Sequence, residues 1–533
     1  MKKHFFLLIF LLPIIAASAQ DVPLDVFTQN RLNELTVSAD TSIFTSFRSI
    51  NWLELKPYLK NKGSDITDSI FGISNPGKSY AFKKLMTDNW IMGAGNKHIF
   101  TIDPIVGLMG GAGNNSNSII DVSGGVRIQG ILNDKFSYSA AVVTGYREYP
   151  NYINDYIDSN QHYQPGLGKG SLTKNGNAYT STQFTGNITY NGGKHFLASA
   201  GYGKNFIGDG YRSLILSDNP SNNPYIRVQA RLWKLTYNVL YNKYENPRIP
   251  EDGHPGKKVS VMHYLGINFS SRFQMALYDN VTFMTKDSFG HRGFDVLYLN
   301  PLIFIRPLEF AVGSPDNAFV GITFKYKFYK NGFVYGQLAL DDLNLKSSLD
   351  NNAQHFGNKY GLQLGIWNKD LFQVQNLSYR LEWNGVRPYM YGHGFGKTGL
   401  NYTHNNQVLT DPFNANYNEV ISIFQYHKER WYGLLENLFA IRGENPGLPY
   451  NNGENLWGGE TGVPVYGSKT MQGNKNKYFY NQLTAGYLLN PRNRLGIETN
   501  IVYRKHSSPA TGTSDFFFSL GVKTRLFNYY HDF

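Results

Sequence analysis

Residues 319–342 read FVGITFKYKFYKNGFVYGQLALDD, and the pattern of this stretch predicts the fold. Every second residue from Val320 to Phe328 is apolar, whereas Lys325 and Lys327 occupy alternate positions. Because side chains alternate across a strand with a period of two, this arm has one apolar face and one polar face. The arm is roughly ten residues long, which is about the length that a tilted strand needs to cross a bilayer.

The return arm follows Asn331-Gly332, a dipeptide that reverses an antiparallel pair because both residues tolerate positive φ. Leu338 and Leu340 then share one face, and Gln337 lies on the other. Polar and charged side chains are costly against lipid but suit a water-filled lumen. One such hairpin also fits a soluble β-sandwich. How often the alternating hairpin recurs along the chain therefore decides between a soluble sandwich and a barrel with a water-filled lumen.

The alternation recurs through the chain, and many of its polar positions carry Arg or Glu. A soluble sandwich rarely hides charged residues on so many strands, whereas the lumen of a transmembrane barrel accepts them. The sequence therefore predicts an all-β fold, a transmembrane antiparallel β-barrel of outer-membrane type. At roughly 24 residues for each strand and its share of loop, the chain would supply about 18 strands, with 16 as the alternative. The clearest strands are residues 226–232, 233–241, 259–269, 377–384, 483–489 and 495–503.

The composition agrees with a barrel in a membrane. Aromatic residues make up 15% of the chain, yet the mean hydropathy is −0.37. Outer-membrane barrels combine these properties because half of each strand faces the lumen and the interfaces carry aromatic girdles. A large soluble β-rich secreted protein is the alternative. The absence of cysteine excludes a disulfide scaffold, a thiolate metal site and a lipid anchor on cysteine.

The first residues have the pattern of a secretory signal peptide. Lys2 and Lys3 form a positive region, residues 5–15 form a short apolar core, and residues 17–19 are the small-residue motif Ala-Ser-Ala. We predict cleavage before Gln20 and a final location in the cell outer membrane.

The charge balance suggests polyanionic partners. The chain carries 51 Lys and Arg against 39 Asp and Glu, a formal net charge of +12, which removal of Lys2 and Lys3 would lower to +10. A positive surface attracts an acidic surface polysaccharide or the phosphates of lipopolysaccharide. Outer-membrane lipid is a further expected partner, and nucleic acid is not expected outside the cytoplasm.

Three segments are predicted: a signal peptide (residues 1–19), an N-terminal helical or irregular segment (residues 20–97) and the barrel (residues 98–533). The strand pattern is absent from the second segment. Mixed charge and scattered apolar residues in residues 45–60 and 79–88 favour short helices there. We expect an ordered plug in the lumen or a cap on the periplasmic side, with a mobile arm as the alternative.

Two further features lie within the barrel segment. Residues 147–177 are polar and are predicted to form a surface loop. Residues 516–526 predict the last strand, with apolar residues at even positions. Phe533 resembles the terminal aromatic of the signal by which barrels are assembled, but its position is odd. A bulge near residues 528–530 would bring it onto the apolar face, and otherwise it is not part of that face.

Three stretches do not have the pattern of a plain strand: residues 208–219, 299–317 and 387–407. Each mixes Asp, Asn, Arg and Gly with aromatic residues. Carbohydrate sites need planar aromatic surfaces beside amide and carboxylate groups, so these stretches are compatible with glycan binding.

The alternative role is an ion pair in the lumen that holds an inward-folded segment, as Arg212 with Asp218 or Arg306 with Glu309 would do. The sequence does not decide between the two roles. The candidate glycan-binding or lumen-network residues are Asp209, Arg212, Asp218, Asn219, Asn300, Arg306, Glu309, Asp316, Asn317, Arg387 and His404.

These stretches resemble blocks of the Wzi-type capsule-assembly outer-membrane family and, more closely, its gliding-motility RemB-like branch. The blocks are GDGYRSLILSDNP, LNPLIFIRPLEF with GSPDNAFVG, and RPYMYGH with NYTHNNQ, and the resemblance spans about residues 45–533. It implies an 18-stranded barrel whose helical N-terminal part helps to block the lumen. It also implies a surface protein that holds capsular polysaccharide or serves surface motility.

The leading functional hypothesis is a non-catalytic outer-membrane barrel that binds or anchors surface (capsular) polysaccharide. The alternative is an accessory component of gliding motility or surface-adhesin export that binds envelope proteins. A diffusion channel would conflict with a plug. Catalysis by His404 with Asp411 near one rim can be imagined, but the chain has no nucleophile elbow and no His-Glu-x-x-His motif. No cofactor or metal is expected.

Overall fold

The computed structural model covers most of the barrel. The predicted signal peptide and the candidates Asn300, Arg306 and Glu309 lie outside the described residues. These are residues 22–37, 44–48, 50–55, 79–133, 135–173, 176, 178–251, 253–287, 290–291, 298, 316–329, 331–342, 354–393, 398–447 and 451–533.

Eighteen antiparallel strands of the described chain close into one barrel, each paired with the next along the sequence. The last strand pairs with the first, with Phe518 opposite Ala112. The predicted outer-membrane-type barrel of 18 strands is confirmed, and the alternative of 16 is wrong. The strands are β1 His98–Gly113, β2 Ser116–Leu132, β3 Phe136–Glu148, β4 Tyr179–Asn191, β5 Phe196–Gly203, β6 Asn223–Leu232, β7 Leu235–Glu251, β8 His254–Asn268, β9 Phe273–Met284, β10 Asn317–Phe328, β11 Gly332–Asp342, β12 Lys359–Asn368, β13 Leu377–Val386, β14 Tyr417–Lys428, β15 Trp431–Glu444, β16 Asn474–Asn490, β17 Leu495–Ser507 and β18 Gly512–Thr524.

The two faces of the barrel follow the alternation of the sequence. On β12 and β13, Leu364 and Leu381 are exposed on the outer face, whereas Gln363 and Glu382 are fully buried inside. An apolar outer face keeps polar side chains away from lipid, and closure of the sheet pairs every strand edge. The outer face is therefore the one that meets the bilayer.

The two ends of the barrel differ in the length of their connections. Short turns, such as residues 233–234 and 429–430, join strands at one end. Residues 149–178, 204–222 and 387–416 are long connections at the other end. Barrels of this type keep short turns on the periplasmic side and long loops outside, so the long connections mark the outer mouth.

The first predicted hairpin is formed by β10 and β11, with a small correction at its turn. Phe328 pairs with Gly332, so the chain reverses between these two residues. Gly332 belongs to the return strand, and Tyr329 has the positive φ, at 52°. Strand pairing thus includes Gly332, the second residue of the Asn-Gly signal.

The lysines of β10 face the lumen as predicted, but the lumen beside them is not filled with water. Lys325 is only 2% exposed, and its Nζ lies 2.8 Å from Asp209 Oδ1. Lys327 Nζ donates to the main-chain oxygen of Thr36 at 3.0 Å. Both ammonium groups are therefore neutralised or hydrogen-bonded by protein segments inside the barrel, as buried charges require.

Helix α1 (Val26–Val37) lies inside the lumen near the periplasmic end. Asn30 Nδ2 donates to Gln425 Oε1 of β14 at 2.9 Å, and the Phe27 ring lies 4.8 Å from the Tyr432 ring of β15. The short strand Phe47–Arg48 then pairs with Phe206–Ile207 inside the barrel. No helix of the described part is long and apolar enough to cross a membrane.

Three further helices are short. Helix α2 (Trp52–Leu55) and helix α3 (Tyr80–Met86) lie in the two N-terminal stretches that favoured helix. Helix α4 (Asn151–Ser159) lies in the connection that was predicted to be a surface loop. Ile153 and Ile157 of α4 are fully buried, so this connection folds over the mouth instead of projecting into solvent.

The chain after β18 turns into the lumen. β18 ends at Thr524, and the hydroxyl of Tyr529 donates to Gln183 Oε1 of β4 at 2.8 Å. Tyr530 is buried as well. The bulge that would have placed Phe533 on the apolar face is therefore wrong, because residues 525–533 find partners inside the barrel.

Candidate functional site

Two long connections enter the lumen from the outer end and pack against each other. They are residues 204–222 and 398–416. The N–H of Ser217 donates to the oxygen of Leu409 at 2.7 Å, and the hydroxyl of Tyr402 donates to the oxygen of Ile215 at 2.9 Å. With α1 and residues 525–533, these connections form what we name the lumen core.

Asp209 anchors the inner end of this core to the barrel wall. Gly208 precedes it with a φ of 144°, and a Cβ there would lie 2.2 Å from Gln337 Nε2. The position therefore needs glycine. Asp209 Oδ1 lies 2.8 Å from Lys325 Nζ, and the hydroxyl of Ser46 donates to its other oxygen at 2.5 Å.

Arg212 is the centre of a buried ion cluster. Its side chain is 0% exposed, and Nη2 lies 2.9 Å from Asp532 Oδ2 and 3.2 Å from Glu419 Oε1. Its Nε lies 3.5 Å from Asp411 Oδ2, and the ring of Tyr530 lies 4.9 Å from the guanidinium. One side chain thus joins β14, both inward connections and the segment after β18.

The neighbouring carboxylates keep the Arg212 side chain in its charged form. Burial opposes the charged form, but Asp532, Glu419 and Asp411 raise the pKa of Arg212 well above its usual value. Burial also raises the pKa of Asp411. Arg212 therefore stays charged, and the cluster needs it, because buried carboxylates without a cation are costly.

Asp218 and Asn219 also hold the lumen core together. The hydroxyl of Tyr530 donates to Asp218 Oδ1 at 2.7 Å, and Asn219 Nδ2 donates to the oxygen of Val408 at 3.0 Å. The suggested ion pair of Arg212 with Asp218 is corrected: Arg212 pairs with other carboxylates, and Asp218 accepts from a tyrosine. Arg212 and Asp218 share one segment, but the fold directs them to different neighbours.

His404 lies in a small hairpin of the second connection. Asn405 and Asn406 form its turn, with φ values of 50° and 60°, as a mirror-image two-residue turn requires. His404 Nδ1 accepts from the N–H of Glu245 at 3.0 Å, and Nε2 lies 3.1 Å from the oxygen of Asn222. Both ring nitrogens are thus bonded to main chain when the imidazole is neutral.

This imidazole should make stability depend on pH. Burial lowers the pKa of His404 to about 4, against about 6.5 in an unfolded chain. Between these values the unfolded chain binds the proton and the folded chain does not, so the free energy of unfolding falls as the pH is lowered from 6.5 toward 4. We expect His404 to account for a loss of about 2 kcal/mol by pH 5. Urea unfolding in detergent micelles should show a smaller loss for His404→Gln, and identical pH profiles would contradict the expectation.

The remaining described candidates are Asp316, Asn317 and Arg387. Each forms a hydrogen bond with another residue of the protein. The contacts are Tyr298 Oη to Asp316 Oδ2 (2.7 Å), Asn317 Nδ2 to Leu400 O (3.0 Å) and Arg387 Nε to Asn358 O (2.9 Å).

A cavity of about 490 Å³ lies at the outer end, above the lumen core. We name it the mouth cavity. Helix α4, the hairpin turn at Asn406 and the outer ends of β15, β16 and β17 enclose it. Its size is within the range of ligand pockets. The aromatic members of its lining are Tyr152, Tyr156, Phe413, Trp457, Tyr478 and Phe533.

Three polar atoms of the lining have no hydrogen-bond partner within the described chain. They are Asn406 Oδ1, Trp457 Nε1 and Arg442 Nε. Asn406 is 3% exposed, and its Nδ2 already donates to Gln161 Oε1 at 2.9 Å. A buried polar atom without a partner is costly, so a turn of the side chain that brought the atom to a ligand with both donors and acceptors would be stabilised. Hydroxyl groups offer both.

The lining is close to neutral in charge. Arg442 and Arg504 are offset by Asp155 and Glu444. Arg442 Nη1 lies 3.5 Å from Glu444 Oε1, and the hydroxyl of Tyr478 donates to the same oxygen at 2.7 Å. The positive balance of the whole chain is therefore not concentrated at this cavity.

The sequence-based candidates included none of the residues that line this cavity. A signal for part of it exists, because Tyr152 and Tyr156 are four residues apart and share one face of a helix, as Ile153 and Ile157 share another. Trp457 had no such signal. The course of the loop between β15 and β16 places Trp457 at the cavity. The guanidinium of Arg248 lies 4.3 Å from the centre of the Trp457 ring.

Comparisons with known proteins support the fold. No protein-family model matches this chain, and no curated protein matches it. It is similar in structure to Wzi, an outer membrane protein involved in group 1 capsule assembly in Escherichia coli and a carbohydrate-binding β-barrel. The TM-score is 0.55 at 12% identity, over 94% of this chain and 98% of that chain. It is also similar to OprD of Pseudomonas aeruginosa, with a TM-score of 0.41 at 10% identity, over 79% and 94% of the two chains. The first likeness agrees with the expected family resemblance at the level of the fold, whereas the RemB-like branch stays a prediction.

Proposed function

We propose that this protein is a non-catalytic outer-membrane barrel that binds surface polysaccharide in its mouth cavity. In this proposal the predicted signal peptide directs export, and the outer mouth presents the cavity to glycans at the cell surface. The observation that carries the proposal is the lining: aromatic rings beside the unpartnered atoms of Asn406, Trp457 and Arg442.

Sugars match this lining in two ways. Their ring faces stack on aromatic side chains, and their hydroxyl groups both donate and accept hydrogen bonds. Because the lining is close to neutral, the cavity suits an uncharged sugar unit, and the acidic groups of an acidic polymer would lie outside it. The likeness to Wzi, a carbohydrate-binding barrel, supports the same class of ligand.

The filled lumen favours this role over a diffusion channel. Helix α1, two inward connections and residues 525–533 occupy the barrel. Buried ion pairs of Arg212 with Asp532 and of Lys325 with Asp209 hold residues 525–533 and the first inward connection. Buried pairs of this kind resist displacement, because separating one partner leaves an unpaired charge.

The test is the substitution Trp457→Ala. Loss of the indole removes both a stacking surface and a donor, so we expect retention of purified surface polysaccharide by the detergent-solubilised protein to weaken about tenfold, or about 1.4 kcal/mol. Retention by the wild type should persist at about 1 M salt, where the Debye length is about 3 Å. Trp233→Ala is the matched control, since Trp233 is 87% exposed in a periplasmic turn.

The same variants decide the role in cells. A deletion strain that carries the wild type or Trp233→Ala should keep its capsule bound, and one that carries Trp457→Ala should shed it, with spreading on agar unchanged. Spreading lost on deletion while capsule stays bound would contradict the proposal. That result would support the accessory role in gliding motility or adhesin export, with envelope proteins as partners.

A further inference from the structure

We infer that residues 525–533 are a strap through the lumen that places Phe533 in the sugar-stacking wall of the mouth cavity. The inference rests on the proposed function and deepens it. It adds a specificity-determining residue to the site and gives the buried Arg212 cluster a task there, which is to position that residue.

The strap crosses the lumen from the periplasmic end to the outer end, and both of its ends are bonded to β17 or to the turn before it. Near the periplasmic end, Arg525 Nε lies 2.5 Å from Glu498 Oε2, and the N–H of Arg525 donates to the oxygen of Arg494 at 3.2 Å. Near the outer end, Arg504 Nε donates to the main-chain oxygen of Phe533 at 2.8 Å. Nine extended residues reach about 30 Å, which is about the thickness of the hydrocarbon core.

Side chains of the lumen core hold the strap between these ends. Tyr530 donates to Asp218, and Asp532 binds the guanidinium of Arg212 at 2.9 Å and 3.2 Å. Asp532 directly precedes Phe533. The ion pair of Arg212 therefore fixes the main chain beside the residue that enters the cavity.

At the outer end, the strap and α4 build one aromatic surface. The ring of Phe533 lies 4.8 Å from the ring of Tyr156 and 6.2 Å from the ring of Tyr152. The hydroxyl of Tyr152 donates to the oxygen of His531 at 2.8 Å, so α4 is bonded to the strap itself. All three rings line the mouth cavity.

This surface has the form that a sugar ring needs. The apolar face of a pyranose packs on aromatic carbon, and adjacent tilted rings offer a continuous surface for it. Phe533 has no polar atom in its side chain, so its contribution is to stacking alone. A substitution that keeps a large ring should therefore keep binding, and one that removes the ring should not.

The experiment compares Phe533→Ala, Phe533→Trp and Phe518→Ala in the full-length protein. Phe518 is 51% exposed on the lipid face of β18 and serves as the matched control. We expect Phe533→Ala to weaken polysaccharide retention about tenfold, and Phe533→Trp and Phe518→Ala to retain it as the wild type does. Asp532→Asn, which does not touch the cavity, should weaken retention too. The heat-dependent gel shift of each variant reports whether the barrel is folded.

A second readout does not depend on sugar. The chain has no cysteine, so Ser159→Cys provides a single labelling position on the cavity lining. An environment-sensitive dye there should shift to the red when Phe533→Ala is added, because water enters where the ring was.

The outcomes separate the two proposals. If the wild type retains no polysaccharide, the proposed function fails, and the dye shift alone then tells whether Phe533 forms this wall. If the wild type and Phe533→Ala retain polysaccharide equally, the inference is overturned while the proposed function stands. Equal loss in Phe533→Ala and Phe533→Trp would also overturn it, because bulk and aromaticity would then not matter.

Discussion

Replacing Arg212 with alanine is expected to lower the free energy of unfolding by about 3–5 kcal/mol. The guanidinium is fully buried and lies within ion-pair distance of Asp532, Glu419 and Asp411. Its loss leaves carboxylates in a low-dielectric interior without a cation, and it removes the ion pairs that join Asp411 and Asp532 to the first inward connection. Urea unfolding in detergent micelles, followed by tryptophan fluorescence, measures the change.

The matched control is Arg272→Ala, since Arg272 is exposed in the periplasmic turn between β8 and β9. A surface change of this kind is expected to stay within about 0.5 kcal/mol. The triple variant Arg212→Met, Glu419→Gln and Asp532→Asn should recover part of the loss, because it leaves fewer buried charges. If Arg212→Ala were as stable as Arg272→Ala, the buried cluster would not hold the lumen core.

Replacing Leu364 with arginine should destabilise the protein by about 2–4 kcal/mol. Leu364 lies midway along β12, and its side chain is 54% exposed on the outer face. An arginine there would place its charge near the middle of the bilayer, where no water or counter-ion compensates it. The protein refolded into lipid vesicles, and unfolded with urea, provides the measurement.

The control is the same leucine-to-arginine change at a residue that lies at the membrane interface instead of the bilayer centre. Leu232→Arg is the same substitution at an outer-face residue that is 69% exposed beside a periplasmic turn. At the interface the guanidinium reaches water, so the cost should be about 0–1 kcal/mol. Equal costs for the two variants would contradict the placement of the bilayer along β12.

The sequence alone determined the strands and the direction of their side chains. On β12, Gln363 and Leu364 are neighbours, and one is buried in the lumen while the other faces lipid. That outcome follows from the two-residue period of a strand and from the cost of polar groups in lipid, both of which act locally. The fold class could therefore be predicted without a structure, whereas the length of the chain gave about 18 strands and left 16 as the alternative.

The contents of the lumen could be predicted only in part. The inward-folded stretch at residues 208–219 stood out by composition, and so did Arg212. Its partners did not, since Glu419 and Asp532 lie 207 and 320 residues away in the chain. Nothing local relates such residues, because the ion cluster forms only when the barrel closes around the inward connections.

The mouth cavity was decided by the tertiary structure. Three of its aromatic residues lie in different segments: Tyr156, Trp457 and Phe533. The sequence next to each of them does not mark it as part of a cavity. Phe533 resembled a terminal strand aromatic but lay at an odd position, and Asp532 and Tyr530 bind Arg212 and Asp218 inside the barrel. The period of two along a strand specifies which side of the sheet each residue faces. A cavity depends instead on where separate segments of the chain meet, and long-range ion pairs and packing decide where they meet.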